Sequence, residues 1–93
     1  MSGKNYTHIA ANGNTNVAAA PVELCNVCIN SLGASSNILT LYDTNTGSAA
    51  GNVIGVFSTT ATVVVLNFNV QCKLGLFAVM SGGTAGDVTL VWG

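Results

Sequence analysis

Three cysteines, one histidine and three carboxylates are the residues of this 93-residue chain that could do chemistry. Two of the cysteines stand three apart in LCNVCIN, residues 24–30, the spacing of a metal knuckle or a redox pair. A zinc site of that kind needs a second ligand pair. Cys72 has no Cys or His close to it in sequence, and His8 is the sole histidine. VELCNVCINS, residues 22–31, reads as a strand, where successive side chains point to opposite faces. Cys25 is then expected on the face of Glu23, Val27 and Ile29, and Cys28 on that of Val22, Leu24 and Asn26. Their α-carbons would stand ~10 Å apart, beyond disulfide reach. The odd cysteine count also argues against a disulfide framework. All three thiols are expected to be reduced and metal-free, acting as small apolar wall residues.

His8 would need a nucleophile or a second acid–base group beside it to catalyse anything, and no motif around it supplies one. Glu23 and Asp43 fall at strand ends and Asp87 follows a glycine turn. Carboxylate catalysis needs a fixed separation, so these acids read as turn or interface hydrogen-bonding groups. TNTGSAAGN and SGGTAGD lack lysine and lead into strands, unlike phosphate-cradling loops that open a helix. They are hairpin connections. No catalytic residue, metal or cofactor is expected.

The elements that carry these residues are short. No segment holds an apolar period of 3.6 residues. Stretches rich in Val, Ile, Leu and Thr alternate with Gly, Asn and Ser clusters, the signature of strands and turns. Strands are predicted at about 6–10, 16–20, 22–31, 37–43, 52–57, 62–68, 74–80 and 87–92. The clusters ANGN, LGASS, TNTGSAAG and SGGTAG turn the chain between them. The fold class is all-β: a single antiparallel β-sandwich, jelly-roll-like or a small barrel, of seven to eight short strands.

Composition narrows the partners. Only 5% of residues are charged: Lys4, Lys73, Glu23, Asp43 and Asp87, with no arginine. An ordinary soluble domain has roughly 25%. Two lysines cannot neutralise a phosphate backbone or hold an anionic bilayer, so neither nucleic acid nor membrane is an expected partner. No apolar run approaches the ~18 residues of a membrane span. MSGKNYTH has no apolar h-region, so no signal peptide is expected and synthesis is placed in a cytoplasm. Polarity comes instead from 11 Asn, 10 Thr and 7 Ser. A chain so poor in charge is expected to have much of its surface covered by neighbouring subunits.

Residues 1–20 carry half the lysines and the histidine, and are expected to form an arm or edge strand that docks on a neighbour. Residues 21–93 form the sandwich. Tyr6, His8 and Ile9 in the first part, with Tyr42 and Trp92 at the ends of later strands, are the candidate subunit contacts.

NILTLYDTNTGSAAGNVIGVF and CKLGLFAVMSGGTAGDVTLVW, which span most of residues 37–93, resemble small all-β structural proteins of tailed bacteriophages, the capsid cement or decoration class. The resemblance lies in the Leu-Tyr-Asp strand end, the Gly75 strand entry, the Gly-Gly turn and the closing Trp92. It implies a non-enzymatic virion protein, made in the host cytoplasm, that binds the major capsid protein or other virion subunits. It also implies a homo-oligomer, a trimer by preference. The alternative is a tail- or fibre-associated module that recognises host-surface glycan, which would need exposed aromatics beside Asn and Asp.

Overall fold

The computed structural model describes residues 4–48 and 51–93. Eight strands follow one another: β1 (Asn5–Ile9), β2 (Gly13–Ala18), β3 (Val22–Ser31), β4 (Ile38–Asp43), β5 (Asn52–Ser58), β6 (Val64–Cys72), β7 (Leu76–Ser81) and β8 (Asp87–Trp92). They form two four-stranded antiparallel sheets, in the orders β1-β8-β3-β6 and β2-β7-β4-β5.

The pairing has a simple logic. β1 pairs β8, β2 pairs β7, β3 pairs β6 and β4 pairs β5, so the chain is one long hairpin whose two arms run side by side. Rolling that hairpin up adds the contacts β3–β8 and β4–β7 and divides the strands between two sheets. This is the eight-stranded jelly roll. No strand among the described residues pairs across the two sheets, so the fold is a sandwich and not a closed barrel.

Alternation decides which side chains fill the space between the sheets. Ile9, Leu24, Val27, Ile29, Val88 and Leu90 point inward from the first sheet. Leu39, Leu41, Leu76, Ala78 and Met80 meet them from the second. Phe57 of β5 and Phe68 of β6 touch edge to face, ring centroids 5.4 Å apart, and close one flank. An isolated strand with so few apolar residues could not fold alone. The two inner faces together bury what neither could.

Residues 5–9 and 13–18 of the stretch expected to form an arm or edge strand are edge strands on this chain's own sheets. Residues 1–3 of that stretch lie outside the described residues, as do residues 49 and 50 of TNTGSAAG. The faces of β3 differ from the strict alternation expected of them. Leu24 stands opposite Trp92 and Asn26 opposite Val91, so Cys25 is an extra residue with no partner on β8. That bulge turns Leu24 to the same inner face as Val27 and Ile29, and leaves Cys28 with Asn26 on the outer face.

Candidate functional site

The residues singled out by type meet mainly on the outer face of the first sheet. β1 places Tyr6 and His8 outward, because Thr7 and Ile9 between them face in. Register sets His8 beside Thr89 and Thr89 beside Cys28. His8 Nε2 donates to Asp87 Oδ1 at 2.7 Å, and Asn30 Nδ2 donates to the same oxygen at 3.0 Å. Asn30 also reaches Thr89 Oγ1 at 2.9 Å. Asn30 gets there because it is an extra residue of β3 between the pairs Ile29–Val88 and Ser31–Asp87. The hydrogen bonds from Asn30 and His8 hold the Asp87 carboxyl below its ordinary value of 3.8, against a small opposing desolvation.

The side chains of this network are paired with one another. The imidazole nitrogen nearest a carboxylate is occupied by it, and the hydroxyl in the network accepts from an amide. Both His8 and Asp87 are solvent-exposed. Among the described residues no three His, Cys, Asp or Glu side chains converge as metal ligands. The sandwich encloses no cleft among those residues. Cys25 and Cys72 are buried and free, and Cys28 is half-buried and free. Burial, and then the negative Asp43, push the Cys72 thiol up to about 11.

The five candidate contact residues divide. Tyr6 is 73% exposed and His8 is exposed on the same face. Tyr42 is half-buried on the outer face of the second sheet, in register with Phe77 and Val53. Trp92 packs partly buried against the core, its indole N–H donating to Thr7 Oγ1 at 3.0 Å. Ile9 is a correction: at 5% exposure it belongs to the core, since β1 turns every second side chain inward.

Two polar residues hold the ends of the sandwich: Asn37, which sequence reading missed, and Asp43, which it read as a turn or interface hydrogen-bonding group. Asn37 is fully buried. Its Nδ2 donates to Asn12 Oδ1 at 2.9 Å and Gly82 O at 2.7 Å, with Ser81 O at 3.2 Å. Its Oδ1 accepts from Thr59 Oγ1 at 2.6 Å and Gly86 N at 3.1 Å. One amide therefore ties four connections together at that end. At the other end Asp43 accepts from the backbone N–H groups of Lys73, Leu74 and Gly75. Desolvation raises the Asp43 pKa, but those three donors and the positive Lys73 outweigh it, so the net shift is downward. Gly75 must be glycine there: a Cβ would stand 2.5 Å from Ala18 O and 2.6 Å from Thr44 O.

The two strands of the β5–β6 flank carry exposed valines on the opposite outer faces of the sandwich. Residues 44–72 contain no charged side chain and no histidine. Val53 and Val56 of β5 are 54% and 60% exposed, and Val65 of β6 is 64% exposed. The sequence signal for this surface was available, as the longest uncharged run in the chain. Four of the five charged side chains, Lys4, Glu23, Asp43 and Lys73, fall instead at the end where β1 and β3 begin and β4 and β6 finish.

The fold and surface define a small jelly-roll domain whose β5–β6 edges are uncharged. No family model matches the chain, and no curated protein matches it.

Proposed function

We propose that this chain is a non-enzymatic structural subunit of a virion, a capsid cement or decoration protein that binds and stabilises the assembled head of a tailed phage. The observation that carries the assembly reading is the distribution of charge. The outer faces and flanks of the sandwich hold exposed valines, with Asp87 the only formal charge away from one end. A free monomer of this size is kept soluble by interspersed charge. A surface without it is suited to burial against other subunits. Jelly rolls serve as capsid domains among other uses, which agrees with the reading at the level of fold only. The virion setting itself comes from the resemblance of residues 37–93.

A binding assay tests it. Purified protein is mixed with heads that lack it, and the pelleted particles are analysed by quantitative mass spectrometry. Saturable binding in fixed proportion to the major capsid protein is expected, with heads that withstand more heat. No saturable binding would overturn the reading.

Tyr6 favours a second reading, recognition of host-surface glycan. Its exposed ring shares an outer face with Asn26, Asn30, Asn67 and Asp87, and a sugar face stacks on such a ring. Retention on a glycan array, lost in Tyr6→Ala, would move the assignment to a tail or fibre.

A further inference from the structure

We infer that two copies of this chain pair through β6, edge to edge and antiparallel, about a twofold axis. This deepens the assembly reading and rests on it. β6 is an edge strand: it pairs with β3 on one side, and no described strand pairs with it on the other. Its free backbone N–H and C=O groups are a template for another strand. Natural edges are blunted by lysine, proline, an inward charge or a bulge. β6, VVLNFNVQC, has no lysine, proline or charge, and its one irregularity lies past Phe68.

The occupant follows from symmetry. A twofold axis sets each residue opposite a residue of the same strand, so charges of one sign clustered at the axis face their own copies, and like charges directly opposite destabilise a sheet. An uncharged strand escapes that cost. Asn69 adopts φ +49 at the irregularity between Asn67 and Val70, which ends the regular edge. The usable strand is therefore Val64 to Phe68. Centring the twofold on Leu66 uses all of it and places Val65 of one copy opposite Asn67 of the other.

The inner face agrees. Val64, Leu66 and Phe68 pack on the core but stay partly exposed because they lie at its rim. Pairing carries each core across the axis and covers these side chains on both copies. The opposite flank gives no such gain: β1 and β2 read NYTHI and GNTNVA, mostly polar. The geometry points to a twofold contact, where the resemblance implies a threefold one.

Sedimentation velocity on the full chain tests this across micromolar to millimolar concentrations. The wild type should form a dimer. V65K/N67K and V65D/N67D should each weaken it by at least about tenfold, since each places like charges across the axis. Mixing these two variants should restore association, while Y6K/H8K at the β1 edge should dimerise like the wild type. Circular dichroism checks that every variant is folded. A wild type that stays monomeric would overturn the twofold, and so would charge variants that dimerise unchanged or fail to associate when mixed. If the isolated chain is monomeric yet binds heads, the β6 contact fails while the assembly reading stands. If it dimerises but never binds heads, the reverse holds.

Discussion

At the scale of single residues, Asn37 joins the connections at one end of the sandwich as Asp43 does at the other. Both halves of the Asn37 amide are used, the nitrogen on acceptors and the oxygen on donors. Asn37→Asp keeps the volume but sets an oxygen against Asn12 Oδ1, Gly82 O and Ser81 O. Leaving the buried side-chain oxygen at position 37 unpaired among acceptors costs about 1–3 kcal/mol, and a loss of that size is expected in urea unfolding. Asp43 sets a different dependence, on pH. Its folded pKa lies below the ordinary 3.8. A carboxylate of that kind contributes stability above its unfolded pKa, and the contribution is lost as pH falls through the folded value. Asp87, also lowered, adds to the same acid limb. The wild type should therefore lose stability below about pH 4. Asp43→Asn should be less stable at neutral pH and show a shallower acid limb in thermal melts across pH.

At the scale of elements, every strand was legible because the turn clusters punctuate the sequence. The β3 range, Val22–Ser31, agrees with the reading to the residue. β6 was placed at 62–68 but runs from Val64 to Cys72. The strand continues past the Asn69 irregularity, and a positive-φ Asn within an Asn/Val run reads as a turn. Cys25 failed for a related reason: a bulge is set by register on a neighbouring strand, which a single strand's sequence does not contain. β1 and β2 read as an arm or edge strand because an edge strand buries few residues and can be polar elsewhere. Ile9 is the exception that anchors β1. Asn37 was hidden altogether, since a buried hub and a solvated loop residue have the same letter. Deleting residues 2–16 removes β1 and most of β2, leaving β8 and β7 as new edges. Circular dichroism and urea titration should show the loss of a cooperative transition, in place of a stable remnant sandwich.

At the scale of the whole molecule, the domain measures 35 × 27 × 16 Å and carries its formal charges mainly at one end. The flanks and faces are left to Asn, Thr, Tyr and Val. Such a surface is suited to burial against neighbours, which is the reading proposed above. Cryo-electron microscopy of purified virions tests it most directly. Density for the eight-stranded sandwich is expected at regular positions on the head, with the β5–β6 flank against another subunit. Heads that carry no such density, or copies whose β5–β6 flank faces solvent throughout, would contradict it.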